Sequence, residues 1–202
     1  MKKLLVATKN QGKLREISNF LSDLPVKILS LSDIGVDDEF EETGKTYKDN
    51  SQKKAIFYAK KSGFPVVADD GGIEINVLKG LPGLHSKRWA KDEKEIIQKL
   101  DKLTKEISED RRGAIFKAII SFALPNGKVW NAQGNVRGII AKNPHRRRII
   151  GYPYRSFFYL PRIQKYYHED ELSDEEQKLY NHRYKAIQKL IPIIKKELGI
   201  KI

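Results

Sequence analysis

Apolar and polar positions change period several times along the chain, and each change marks an expected element. Residues 3–8 (KLLVAT) form a short continuous apolar run, the pattern of a buried strand. Residues 11–24 (QGKLREISNFLSDL) then place Leu14, Ile17 and Leu21 at helical spacing. Asn10 and Gly12 stand at the junction, so a strand, a turn and a helix are predicted, and helix N-termini attract phosphate. A second strand is expected at 26–31, followed by the acidic loop DDEFEETGKT. Thr46 with Asp49 three residues on resembles a capping box and opens a helix through Tyr58 to Lys61.

The middle of the chain changes to strand patterns. PVVAD (65–69) is a buried strand, which Gly71-Gly72 is expected to turn into IEINVL (73–78). Residues 92–107 have helical period, residues 113–124 read as a long strand, and Pro125-Asn126-Gly127 makes a hairpin turn into KVWNAQ. The last helix starts where Ser173 and Glu176 have capping-box spacing. It is expected to continue past His182 and to be kinked or split at Pro192. Early alternation of helix and strand, with strands clustered centrally, predicts an α/β fold on a mixed sheet. No internal repeat or linker interrupts it, so the 202 residues read as one domain with room for two lobes.

Composition narrows the partners. The formal net charge of +13 favours an anion: nucleic acid, a phosphorylated small molecule or an acidic surface. The excess is spread over Lys53-Lys54, Lys60-Lys61 and Arg146-Arg147-Arg148 among others, a dispersal more typical of solvated surface than of one groove. The absence of cysteine excludes disulfides, thiol catalysis and Cys-based zinc sites, and it suits a cytoplasmic location. The apolar run before Thr8 is too short for a secretory segment, and no later stretch is long enough to cross a membrane, so no membrane partner is expected.

The candidate chemistry lies in the polar residues that end these strands. Asp69-Asp70 puts two carboxylates side by side after PVVA, and Glu41-Glu42 sits in the acidic loop. Oxygen-only donors of this kind suit Mg²⁺ or Mn²⁺. Simpler readings stand beside that one: Asp-Gly pairs favour turns, and Glu41-Glu42 is equally an acidic surface loop. A charge pair at the end of a buried strand is harder to dismiss, because a metal compensates it and leaves one carboxylate as a base. The turn Thr8-Lys9-Asn10-Gln11-Gly12-Lys13 offers a hydroxyl, an amide and an ammonium beside backbone N–H groups, a plausible phosphate cradle that lacks the glycine spacing of a Walker loop.

Taken together, T-x-N-x-x-K, ETGKTYKDNSQKKA, ADDGGIEINVLKGLPGLHSKRWA, FKAIISFALPNGKVWNAQGNVRGII and the late NHRYKA resemble the inosine triphosphate pyrophosphatase family, the Ham1-like enzymes that act on non-standard purine nucleoside triphosphates. The resemblance runs nearly end to end. It implies an elongated mixed α/β fold of two lobes with a nucleotide cleft between them, a homodimer, and hydrolysis of a nucleoside triphosphate to monophosphate and pyrophosphate. By the same resemblance Thr8, Asn10, Lys13 and Lys54 hold phosphates. Glu42, Asp69 and Asp70 hold Mg²⁺, Asp70 is the general base, and Gly71 lies against the substrate. Tyr152, Tyr154, Arg155, Gln177, His182 and Arg183 serve the base end, with His182 and Arg183 at the purine edge.

The base pocket departs from the family pattern. Where members carry a stretch like G-F-G-Y-D-P-x-F, this chain reads Gly151-Tyr152-Pro153-Tyr154-Arg155-Ser156-Phe157-Phe158. Tyr152 takes the place of the stacking aromatic, and Arg155 replaces an acidic acceptor with a pure donor. Gln177 and Asn181 replace the lysine and serine that precede H-R. Three readings of Arg155 stay open: donation to O6 and N7 of a purine, preference for another base, or a structural ion pair. From the charge alone, a nucleic-acid-binding module remains the competing function. It predicts salt-dependent oligonucleotide binding, but the chain lacks an RNA-recognition signature and its acidic pairs would repel a phosphate backbone without a metal. No specific nucleic-acid partner is therefore expected.

Overall fold

The structure is a computed structural model that describes residues 1–201. Seven strands form one mixed sheet in the order β2-β1-β3-β4-β5-β6-β7. They are β1 (Lys2–Val6), β2 (Val26–Ser30), β3 (Val66–Ile75), β4 (Gly113–Ala123), β5 (Val129–Ile140), β6 (Phe158–Leu160) and β7 (Lys165–Tyr166). β1 pairs in parallel with β2 and with β3, whereas β6 is antiparallel to both β5 and β7. The helices are α1 (Gln11–Phe20), α2 (Tyr47–Ser62), α3 (Glu93–Glu106), α4 (Asp174–Tyr180) and α5 (His182–Glu197).

The chain divides into two compact units. The first holds Met1–Asp70, Ala118–Gly134 and the chain from Arg183 on. Its strands are covered on both faces, which explains the unbroken apolar run of β1. Leu4, Val6, Val67, Ile120 and Phe122 pack with Ile17 and Leu21 of α1 and with Ala186, Ile187, Leu190 and Ile194 of α5. Leu5, Ala7, Val66 and Ala68 face the other way, onto Ala55, Tyr58 and Ala59 of α2. Successive strand residues thus feed two separate cores.

The second unit holds Gly71–Lys117 and Asn135–His182. Its core gathers Ile73, Ile75, Leu100, Phe116, Phe157, Phe158 and Tyr167, all buried. Buried Arg112 ties this unit internally by donating to the carbonyls of Thr104, Ile107 and Ile140. Trp89 packs on this core, with its ring 6.2 Å from that of Tyr154.

Most expected elements form within a few residues of their predicted bounds. Thr46 caps α2 by accepting from Asp49 N, and Ser173 with Glu176 forms a full capping box at α4. Two expectations are corrected. Gly71-Gly72 does not turn the chain, because β3 runs unbroken from Val66 to Ile75. The Gly72 requirement is space: a Cβ there would lie 2.3 Å from both Gly83 O and Ser86 Oγ, so glycine admits a close backbone approach. The last helix is divided not at Pro192, which lies inside α5, but at Asn181, whose extended backbone (φ −84°, ψ 122°) ends α4.

Candidate active site

Polar residues that follow β1 and lie within β3, together with the first turns of α1, α2 and α5, converge in the first unit. Thr8 Oγ1 accepts from Asn10 N at 3.2 Å, and Asn10 Oδ1 accepts from Lys13 N at 3.0 Å. Asn10 is therefore the N-cap of α1, and its cap fixes the turn from which Lys13 reaches Asp69 Oδ2, with the Nζ at 3.0 Å. Arg183, in the first turn of α5, puts Nε 3.0 Å from the same oxygen and Nη1 3.0 Å from Glu16 Oε2.

Asp69 and Asp70 are adjacent in sequence but face opposite sides of β3, as strand geometry requires. Asp69 shares the side of Val67, toward α1 and α5; Asp70 shares the side of Ala68, toward α2. There Asn50 Nδ2 donates to Asp70 Oδ2 at 2.9 Å, while Asn50 Oδ1 accepts from Gly44 N at 2.6 Å. One buried amide thereby joins the Asp70 carboxylate to the Glu42-Thr43-Gly44 loop. Lys54 Nζ meets Glu42 Oε1 at 2.5 Å. Ser51, one residue beyond Asn50, binds the carbonyls of Ala68 and Ile119 and the hydroxyl of Ser121, anchoring α2 to the strand that carries both aspartates.

The two carboxyls are driven in opposite directions. Both are buried, which raises an acid's pKa. At Asp69 the charges of Lys13, Arg183 and Lys54 outweigh that burial and hold it well below the usual carboxylate range. At Asp70 burial, reinforced by the negative charge of Glu42, prevails over Lys54 and the Asn50 hydrogen bond and lifts it to about 6. Lys54 shows the complementary effect, with burial opposed and exceeded by Asp69 and Glu42 so that its pKa is raised. Lys13 is lowered, chiefly by burial.

This donor set fits a hard divalent cation. Asp69 Oδ1 is a buried oxygen without a hydrogen-bond partner. Burial, with the negative charge of Glu42 beside it, raises the proton affinity of Asp70. A cation beside each carboxylate would relieve its condition, and oxygen-only carboxylate sites of this kind suit Mg²⁺.

The remaining expected residues belong to the second unit. Gly71 continues β3. The Arg155 guanidinium lies 3.9 Å from the Tyr152 ring centroid and 4.7 Å from that of Tyr167. Tyr154 donates its hydroxyl to Ser86 O at 2.7 Å, and burial pushes its phenol well above the ordinary value. His182 is buried, stacked on Phe116 and hydrogen-bonded through Nδ1 to the Tyr167 hydroxyl at 3.0 Å. Gln177 Nε2 donates to Leu172 O, just ahead of the N-cap of its helix. The structure thus gathers Lys13, Lys54, Glu42, Asp69, Asp70 and Arg183 in one unit, and Tyr152, Arg155 and His182 on the aromatic core of the other.

Sequence reasoning missed Glu16 and Asn50. Asn50 had a signal, because it falls on the buried face of α2 with Ala55 and Ala59. Glu16 follows Lys13 by three residues on α1, the spacing of helix neighbours. The Arg146–Arg148 run is not an open basic patch: Arg147 pairs with Glu169 and Asp170, and Arg148 with Asp101.

The fold and site define a mixed α/β protein with a carboxylate and ammonium cluster suited to a polyphosphate and its counter-cation. The sequence profile described as the Ham1 family matches residues 4–193, and the chain belongs to that family. It is 34% identical over 195 residues to a dITP/XTP pyrophosphatase of Desulforamulus reducens, covering 95% of each chain. A dITP/XTP pyrophosphatase of Bacillus subtilis is 34% identical over 197 residues, 96% of this chain and 98% of that protein. Among solved structures, the Staphylococcus aureus Ham1 protein superposes with a TM-score of 0.79 at 31% identity, covering 97% of this chain and all of that one. A HAM1 protein from Coxiella burnetii gives 0.80 at 31% identity with the same coverage.

Proposed function

We propose that this chain hydrolyses non-standard purine nucleoside triphosphates, of the inosine, deoxyinosine and xanthosine type, to monophosphate and pyrophosphate, clearing them from the nucleotide pool. The observation that carries the reading is Asp70. It is a buried carboxylate with its pKa lifted to about 6, oriented by Asn50 and set among Glu42, Lys54 and Lys13.

A base tuned close to neutral is ionised at working pH yet still binds a proton appreciably. Asp70 takes the proton of a water whose oxygen attacks the α-phosphorus. The bond from that phosphorus to the bridging oxygen breaks, and pyrophosphate leaves with its electron pair. Lys13, Lys54 and Arg183 supply positive charge where phosphate oxygens gather, and Thr8 and Asn10 hold the α1 turn that offers backbone N–H groups. Mg²⁺, held by Glu42, Asp69 and Asp70, would neutralise the polyphosphate and orient its leaving group. Tyr152 serves as the stacking aromatic for the base. Arg155, with His182 and Tyr154, supplies the polar groups that select it, while Gly71 and Gln177 keep the substrate-side roles that the resemblance implies. A homodimer in the cytoplasm completes the reading, and sedimentation of the purified protein tests the dimer.

The decisive experiment is product analysis across a panel of nucleoside triphosphates with Mg²⁺. Pyrophosphate and monophosphate are expected, with inosine and xanthosine triphosphates ahead of adenosine triphosphate. Orthophosphate and a diphosphate nucleotide would refute the cleavage position.

A further inference from the structure

Within the second unit, and apart from every residue assigned above, His145, His168 and Asp170 bring one donor atom each to within 4.8 Å of one another. The imidazole rings of His145 and His168 lie 4.0 Å apart, centroid to centroid. His168 is 1% exposed, and its Nε2 is buried without a hydrogen-bond partner. Its Nδ1 accepts from Asp170 N at 3.2 Å and lies 3.7 Å from Asp170 Oδ2. Arg147 engages the other carboxylate oxygen, Asp170 Oδ1, at 2.6 Å, which leaves Oδ2 toward the rings. Glu171 Oε1 stands 3.6 Å from His145 Nε2.

Two imidazole rings in contact, one with an unsatisfied buried nitrogen, are an unfavourable way to fill a core unless something joins them. We propose that His145, His168 and Asp170 form a structural zinc site. Two imidazoles and a carboxylate are borderline ligands that suit Zn²⁺, unlike the oxygen-only set at Asp70, which suits Mg²⁺. Donors sharing one tetrahedral ion at about 2.1 Å lie about 3.4 Å apart, so side-chain rotations that move the donor atoms together by roughly 1 Å would close the set. Glu171 is placed to complete the coordination or to orient His145 from behind.

The location gives the ion a task. His145 N donates to Ser156 O at 2.7 Å, and Ser156 Oγ donates to Arg147 O at 2.8 Å, so the segment bearing His145 is tied to the turn that bears Arg155. Zn²⁺ would staple that segment to the 168–171 turn.

The test uses the full chain, stripped with a chelator, dialysed into excess Mg²⁺ and titrated with Co²⁺ as a visible probe, then with Zn²⁺. The expected result is one equivalent of Co²⁺ giving tetrahedral visible absorption, displaced by Zn²⁺, with a rise in Tm. His168→Ala removes a buried ring and risks the fold, so His145→Ala and Asp170→Asn carry the test, with circular dichroism to confirm folding. Each should weaken binding by at least roughly tenfold to a hundredfold, the loss typical of a disturbed metal shell. Absence of a stoichiometric site in the parent, or equal affinity in both variants, would overturn the proposal. So would a band abolished by Asp70→Asn but not by Asp170→Asn, which would assign the ion to the Asp70 set.

Discussion

One chemical change, carboxylate to amide, should have opposite effects on stability at two adjacent positions. At Asp70 the folded protein raises the acid from an ordinary 3.8 to about 6. Ionising it therefore costs about 10²-fold in the folding equilibrium, or ~3 kcal/mol. The sign follows from proton uptake: between those two pH values the folded state holds more protons than the unfolded one, so stability falls as pH rises, and the penalty is complete above about 6. Asp70→Asn removes that penalty and retains an acceptor for Asn50, so it should stabilise the protein by up to ~3 kcal/mol at pH about 8 and by about half as much at pH about 5. At Asp69 the sign reverses. Its depressed pKa contributes stability that is present above the unfolded value and lost as pH falls through the folded one. Asp69→Asn would strip Lys13 and Arg183 of their shared charge partner, and breaking a buried pair in this way costs about 3–5 kcal/mol. The assay is urea unfolding of parent and both variants in chelator at the two pH values. An Asp70→Asn variant less stable than the parent at the higher pH, or one whose gain ignores pH, would refute the account of that carboxyl. The same variant should lose roughly 10²-fold or more in turnover, so stability and activity trade against each other at one atom pair.

Three further changes separate other roles. Asn50→Leu removes the amide that links Asp70 to the Gly44 loop and should lower kcat well before it alters KM, checked by steady-state kinetics; unchanged kcat would mean Asp70 is held by other contacts. Gly72→Ala forces a Cβ against Gly83 O and Ser86 Oγ and should destabilise by about 1–3 kcal/mol in thermal melts, whereas an unchanged Tm would show that the backbone yields there. Arg155→Ala should narrow the preference for inosine over adenosine triphosphate by about tenfold or more, the value of a hydrogen bond from a charged donor; an unchanged ratio of kcat/KM would confine Arg155 to packing on Tyr152 and Tyr167.

Local signals make much of this fold legible in the sequence. The α1 turn, the caps at Thr46 and Ser173, and the hairpin after Leu124 are decided by a few neighbouring residues, and each formed where its residues stand. The acidic pair and its cations were also visible, because their residue types match one chemistry. Pairings over long separations were not. Arg183 meets Asp69 across 114 residues, and nothing in the helical pattern of NHRYKA names its partner. Gly71-Gly72 is ambiguous for a related reason: two glycines signal freedom, and only the tertiary neighbours of Gly72 show that the freedom serves close packing. Pro192 is the stronger breaker in isolation, yet it lies inside α5 and the break falls at Asn181, which no strong local signal marks.

Because Asp69 and Asp70 take their separate environments from the alternation of β3, their roles are tied to the parity of the strand. Inserting or deleting a single residue between Val66 and Asp69 would exchange the two destinations. The carboxylate built to stay charged would face Asn50, and the one built to carry a proton would face Lys13 and Arg183. A change of two residues restores the facing and only shifts it along the strand. Length variation in this family should therefore fall outside this stretch, or enter it only in even steps, however freely the apolar residues before the pair are exchanged.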